Sequence, residues 1–393
     1  MAMIEDALLD DLSRLAAVDS QDTLRALATA GAQVREAITL AREGGVDRLT
    51  GQERPRSVLV ASLGGSAVVG DVLDLLAEPG SPVPVTIRRN LPLPGWVGPL
   101  DLVVAVSLSG RAPGPLAVAA EAARRGAFLV TVGAAQSPLA AVCERARGLH
   151  IDAGRGRTSS RTSLWSLAAP VLIAADRLGI VDMSDDVLAQ VADRLDEVAE
   201  TCRPSSESFV NPAKGLALQL AETVPVVLGE GDLGGVAAHR AASMLSRTAR
   251  LPATYGALPD AASQIVATFD GPFTAGGGQG VLGAPREQDI FADPFLDGPA
   301  QPTLGLLMLR DAPQQIATPE DADRAGLVDG VITTAEHAGV RVMSVTAQQG
   351  PSLVRLAELM ATTDFTATYL AIGLGMDPAV SRHIAELRDR TRR

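Results

Sequence analysis

The sequence predicts an α/β protein in two halves, each a parallel β-sheet flanked by helices, and three observations carry that prediction. From Ser57 onward, short apolar runs alternate with stretches of three- and four-residue apolar spacing. This is the pattern of strands buried on both faces and joined by crossover helices. A polar segment, Cys202 to Ser208, interrupts the alternation, which then restarts. Finally, the run Leu102 to Gly110 (LVVAVSLSG) is apolar until it breaks into Ser107, Leu108, Ser109 and Gly110. A buried strand ending in hydroxyls and a glycine ahead of a helix places donors where an anion can bind.

At 393 residues the chain exceeds the roughly 250–300 residues that one core supports, so two domains are expected. A 47% hydrophobic, 3% aromatic and 20% charged composition describes an aliphatic globular core and excludes general disorder. A net charge of -12 argues against nucleic acid as a partner, because phosphate backbones need concentrated Lys and Arg. Lys214 is the one lysine, so basic roles fall to arginines. Cys143 and Cys202 are too few for a disulfide framework and lack metal-type spacing, which fits a reducing cytoplasm. The acidic N-terminus, MAMIEDALLDD, has no signal-peptide pattern, and no apolar run approaches the ~20 residues that span a bilayer, so no membrane partner is expected.

Taken in order, residues 4–44 read as two amphipathic helices broken near Asp19 to Asp22. A first α/β domain then covers residues 45–200. Its predicted strands are Val58–Leu63, Val83–Ile87, Leu102–Val106 and Phe128–Val132, and its helices Val68–Leu76, Leu116–Arg125 and Thr162–Leu178. After the 202–208 linker, a second domain fills residues 209–393. It alternates helix Pro212–Glu222, strand Val224–Leu228, helix Val236–Arg250, strand Thr303–Leu309, helix Pro319–Ala338 and strand Val340–Val345 before a helical C-terminus. Residues 271–302, rich in Gly and Pro and without periodicity, read as either an insertion loop or a locally disordered tract.

Two loops carry the chemistry. Gly64, Gly65 and Ser66 follow the first strand, and Ser107, Ser109 and Gly110 follow the third. Either loop alone fits an ordinary helix cap or tight turn. Together at one edge of one sheet they point to a phosphate site, because ligands of such sheets bind beyond the strands' carboxyl ends. Neither loop ends in the Lys-Ser/Thr of a P-loop or forms GxGxxG, and no His, Cys, Asp or Glu set has metal-ligand spacing. No cofactor or metal is expected. His150, His337 and His383 read as structural or solvated, and a DNA-binding reading lacks its basic helix-turn-helix module.

The GGSA and SLSG pair (residues 64–67 and 107–110) resembles the sugar isomerase (SIS) domain, a flavodoxin-like unit that binds phosphosugars. Three longer stretches narrow the resemblance: RNLPLPGWV (89–97), NPAKGLALQL (211–220) and FTATYLAIGLGMDP (365–378). With these the chain resembles the bifunctional phosphoglucose/phosphomannose isomerase family, as a divergent member. The resemblance implies two flavodoxin-like SIS domains, a hexose phosphate ligand and a cytoplasmic homodimer. It places phosphate on Ser66, Ser107 and Ser109, while the family's threonine position is Ala112 and its acidic helix start is Pro113-Gly114. The arginine that stabilises enediolate charge best matches Arg161, with Arg155 and Arg157 within a few residues. Proton transfer fares differently. Arg247 stands where the family's basic glutamate belongs, and an arginine stays protonated near neutrality. The stretch 258–265 has no ring-opening histidine, and Gln264 holds the adjacent acid position. The implied function is phosphosugar binding with glucose-6-phosphate/mannose-6-phosphate isomerase activity lost or reduced; the alternative is an active isomerase using relocated groups such as His239 or Asp260.

Overall fold

The computed structural model describes residues 4, 6–77, 80–274, 303–313 and 318–391. Most of the predicted insertion, residues 275–302, lies outside the described residues. The chain forms two compact units, one comprising Ala26–Glu197 with Pro351–Ala357, the other Met1–Arg25, Val198–Gly350 and Glu358–Arg393.

At the N-terminus there are four helices instead of two: α1 (Asp6–Asp10), α2 (Leu12–Val18), α3 (Thr23–Ala28) and α4 (Ala30–Glu43). Of the two extra breaks, one falls at Asp11 and the other at Thr29, the N-cap residue of α4. Asp11 accepts the Ser13 and Arg14 N–H groups at the start of α2, and Asp19 accepts those of Thr23 and Leu24 at the start of α3. The break expected near Asp19 to Asp22 is present, with Asp22 at φ 49°.

In the first unit, five parallel strands run in the order β2-β1-β3-β4-β5: β1 (Val58–Ala61), β2 (Val85–Arg88), β3 (Leu102–Ser107), β4 (Phe128–Gly133) and β5 (Leu149–Asp152). Helices α5 (Val68–Ala77), α6 (Pro113–Arg124), α7 (Pro138–Arg145), α8 (Trp165–Arg177) and α9 (Asp185–Thr201, whose last turn belongs to the second unit) complete the series. Every residue of β1 and β3 is buried, as continuous apolar runs predict. Leu59, Val103, Ala105, Val118 and Leu129 form the centre of one core cluster. Deleting such a leucine side chain typically costs about 2–5 kcal/mol. This strand order reverses direction between β1 and β3, which makes the space beyond their carboxyl ends the topological switch point.

The second unit repeats the plan with four parallel strands in the order β7-β6-β8-β9: β6 (Thr223–Glu230), β7 (Thr254–Leu258), β8 (Thr303–Arg310) and β9 (Arg341–Thr346). Its helices are α10 (Pro212–Leu220), α11 (Gly231–Met244), α12 (Ala262–Val266), α13 (Pro319–His337), α14 (Ser352–Gly373) and α15 (Arg382–Thr391). Residues Pro351–Ala357, including the start of α14, group with the first unit. Strand β7 has no apolar run to announce it, being a partly exposed edge strand. The predicted helix Val236–Arg250 instead begins at Gly231 and ends in a π-helical turn, Leu245–Ala249, closed by Arg250 at φ 58°.

Candidate functional site

The two loops singled out in the sequence lie at the switch point of the first sheet, following the adjacent strands β1 and β3. Gly64 has φ 70°, which lets the chain turn sharply out of β1. A Cβ on Gly65 would lie 2.6 Å from Ser160 Oγ and 3.2 Å from Arg161 N, so only glycine allows the 159–161 segment to come this close. Ser66 is buried and its hydroxyl donates to Leu63 O at 3.0 Å. Arg161 is half-buried, with its backbone N–H and its Nε both turned to Ser159 Oγ at 3.2 and 3.4 Å. The structure therefore brings Gly64, Gly65, Ser66 and Arg161 together.

At the end of β3, buried Ser107 accepts the Ala112 N–H at 3.3 Å through Oγ, which leaves its own hydroxyl hydrogen for another acceptor. Ser109 is exposed, and its Oγ accepts the Arg111 N–H at 3.4 Å. Gly110 has φ 61°, and a Cβ there would lie 2.1 Å from Ser137 Oγ. Two contributors escaped the sequence reading. Gly133 follows the apolar run of β4 and passes so close to Ser107 that a Cβ would meet its carbonyl oxygen at 2.2 Å. Ser137 caps α7 through the Ala140 N–H. Glycine after an apolar run and Ser-Pro ahead of a helix were the signals available.

Helix α6 departs from the expectation of free N–H groups at a helix start. Its first and third residues, Pro113 and Pro115, have no N–H, and Leu116 N–H is already bonded to Ala112 O. Only Gly114 offers a hydrogen in the first turn. The first turn of α6 therefore adds little to anion affinity, which falls to the loop amides, the hydroxyls and side-chain cations.

Arg247 and Gln264 belong to the second unit. Arg247 sits exposed in the π-helical turn after α11, its Nε donating to Ser243 Oγ at 3.1 Å. Such turns often mark functional positions in helices. Gln264 is exposed on α12. His239, on α11, stacks on Tyr255 of β7 with ring centres 4.7 Å apart, and Asp260 is exposed just beyond β7. Among the described residues no group of His, Cys, Asp and Glu could hold a metal ion, and no helix is long and apolar enough to cross a membrane.

The stretches NPAK and FTATYLAIG are structural. Asn211 caps α10 by accepting the Ala213 and Lys214 N–H groups. Lys214 is fully buried, and its ammonium donates to Asp10 Oδ1 at 3.0 Å, Pro204 O at 2.8 Å and Ser206 O at 2.7 Å. It lies 5.6 Å from the centre of the Tyr369 ring, and Tyr369 OH donates to Cys202 O at 2.7 Å. The polar segment 202–208 is thus gathered round one buried cation, which offsets the cost of burying the charge by full hydrogen bonding.

Residues 209–391 match the model of the bacterial phospho-glucose isomerase C-terminal SIS domain. A bifunctional phosphoglucose/phosphomannose isomerase from Caldicellulosiruptor bescii is 26% identical over 198 residues, which is 50% of this chain and 58% of that relative. Similar solved structures include a hypothetical protein from Thermus thermophilus (TM-score 0.67, 15% identity, 98% of this chain and 94% of that one). The C-terminal domain of glucosamine-fructose-6-phosphate aminotransferase from Francisella tularensis aligns with TM-score 0.59 at 12% identity, over 91% of this chain and 97% of its own. At these identities the structures establish the fold: a pair of parallel, helix-flanked sheets of the SIS type. Residues 209–391 thus form a domain of the bacterial phospho-glucose isomerase C-terminal SIS type, and the chain is similar at low identity to a bifunctional phosphoglucose/phosphomannose isomerase over half of its length.

Proposed function

We propose that this protein binds a hexose 6-phosphate at the carboxyl edge of its first sheet and that its isomerase activity is lost or reduced. The observation that carries the binding half is the placement of Ser66, Ser107 and Ser109 on adjacent loops at the β1/β3 switch point, with Arg161 against the first loop. Phosphate oxygens accept from the Ser107 and Ser109 hydroxyls, and from Ser66 once its hydroxyl turns away from Leu63 O, while Arg161 supplies charge. The catalytic half rests on chemistry. Moving a proton between C1 and C2 needs a base, and ring opening needs an acid. Arg247 cannot serve as that base, and Gln264 does not titrate. A cytoplasmic homodimer is part of the same reading, on the strength of the family.

A second reading keeps activity through relocated groups, and it is favoured by one observation: His239 is held in a defined orientation by stacking on Tyr255. One experiment addresses both. The protein is incubated with fructose 6-phosphate in deuterated water while thermal shift is followed in parallel. The proposal expects stabilisation of the wild type that shrinks in a Ser107→Ala/Ser109→Ala variant, with no label at C2 of any aldose phosphate. Label above that variant's background would establish the second reading, and no shift with any hexose phosphate would remove the first.

A further inference from the structure

Of the arginines around the first sheet, most have a defined partner. Arg35, Arg42, Arg56, Arg124, Arg125, Arg157, Arg177 and Arg194 each pair with a carboxylate. Arg48 donates to the Gly44 and Gly45 carbonyls. Arg145 and Arg147 close α7, where the helix dipole favours a cation. Of the rest, Arg54 is exposed ahead of β1 at the opposite edge, and four others, Arg88, Arg89, Arg111 and Arg155, are exposed and make no ion pair with a described carboxylate. In a chain of net charge -12, acids are not scarce.

All four lie on the carboxyl edge that carries the serine loops. Arg88 ends β2 in register with Ala61, the last residue of β1, and its carbonyl accepts Ser62 N–H. The Arg89 carbonyl packs against the first turn of α6, where a Cβ on Gly114 would meet it at 2.1 Å. Arg111 directly follows Gly110, in the second loop itself. Arg155 lies on the segment leaving β5, which starts beside β4 at Ala153, bonded to Gly133 O, and reaches the first loop where Ser160 meets Gly65. The cations thus border the serine loops from β2, from the second loop and from beyond β5.

One phosphate, held by three serines and Arg161, does not need this rim, while the two prolines of α6 remove the backbone donors that would hold a second anionic group. Guanidinium groups supply what the helix start lacks, since they bind phosphate or carboxylate through paired, charge-assisted hydrogen bonds. We infer that the ligand of this edge is a sugar carrying a second anionic group, a second phosphate or a carboxylate, in addition to its 6-phosphate. The inference rests on the hexose phosphate reading and specifies its substrate class.

Isothermal titration at about 0.15 M salt, where distant charges are screened, tests it with fructose 6-phosphate, fructose 1,6-bisphosphate and 6-phosphogluconate. At least one bis-anionic sugar is expected to bind about tenfold more tightly than fructose 6-phosphate, as one added charge-assisted contact would give. An Arg111→Ala/Arg155→Ala variant should bring that ratio toward one. An Arg145→Ala/Arg147→Ala variant removes the same charge at the opposite edge and should leave the ratio as it was. The arm with the larger ratio says whether phosphate or carboxylate is preferred. A ratio near one in the wild type, or one unchanged by loss of Arg111 and Arg155, overturns the inference while leaving fructose 6-phosphate binding in place. If none of the three sugars binds, the hexose phosphate reading falls and takes this inference with it.

Discussion

At the carboxyl edge of the first sheet, the strands flanking the switch point run into glycines, serines and exposed arginines. At the same place in the second sheet, β6 and β8 end in Glu230 and Arg310, and these pair with each other at 3.6 Å. Arg310 also pairs with Asp329 at 3.3 Å, and the Gln348 N–H after β9 is taken by Glu358. The turn after β6 folds back so closely that a Cβ on Gly229 would lie 1.9 Å from the Gly234 carbonyl carbon. Two sheets of one topology thus present opposite chemistry: one leaves hydroxyls and cations unsatisfied by the protein, the other consumes its polar groups internally. Topology places a crevice, and only the residues at the strand ends decide whether it can hold an anion.

The largest effect should come from breaking the first edge at Gly110. Gly110→Ala puts a Cβ at φ 61° and within 2.1 Å of Ser137 Oγ, so it strains the backbone and displaces the cap of α7. A left-handed non-glycine residue and a lost cap together cost about 2–3 kcal/mol. Urea unfolding followed by titration with fructose 6-phosphate should show both that loss and weakened binding. A destabilisation under about 0.5 kcal/mol would mean the loop has room to spare and that its shape is not what defines the edge.

A smaller effect is expected at the second edge. Glu230→Gln breaks a long, partly exposed ion pair, which is worth less than about 1 kcal/mol. Titration should still give one hexose phosphate per chain. A second binding event in this variant would mean that only the Glu230 charge had kept the second switch point from acting like the first.

The sequence made the strands of the first sheet legible because continuous apolar runs such as LVVAV can only be buried, and it placed both serine loops because they follow those runs directly. Strand order was not legible, since nothing local says that β3 crosses over β1. Edge strand β7 was missed because TYGAL is only half covered and carries no apolar run. Long-range pairs were invisible for the same reason: Arg240 and Asp364, buried together with contacts of 3.0 and 2.8 Å, are 124 residues apart. The rim of arginines was not legible as a group. Arg88, Arg111 and Arg155 share an edge only once the sheet exists.

The smallest effect concerns His150, which lies two strands from the serine loops. Its Nδ1 meets Thr131 Oγ1 at 2.7 Å, while its Nε2 is buried without a hydrogen-bond partner among the described residues. Burial disfavours the imidazolium and holds the His150 pKa below its usual 6.5, against the opposing pull of the Asp152 carboxylate. Below pH 6.5 the unfolded chain therefore takes up a proton at this position more readily than the folded one. Stability from neutral His150 is complete above that pH and is lost as pH falls below it. His150→Gln keeps a partner for Thr131 and removes the titration. The wild type should lose on the order of 1 kcal/mol or less relative to this variant between pH 7 and pH 5, read by urea unfolding at each pH. Parallel pH profiles would show that His150 gains its proton equally in both states. The buried side of the first sheet would then reach water, and the rigidity that holds β4 and Gly133 against Ser107 would have to come from the strand pairing alone.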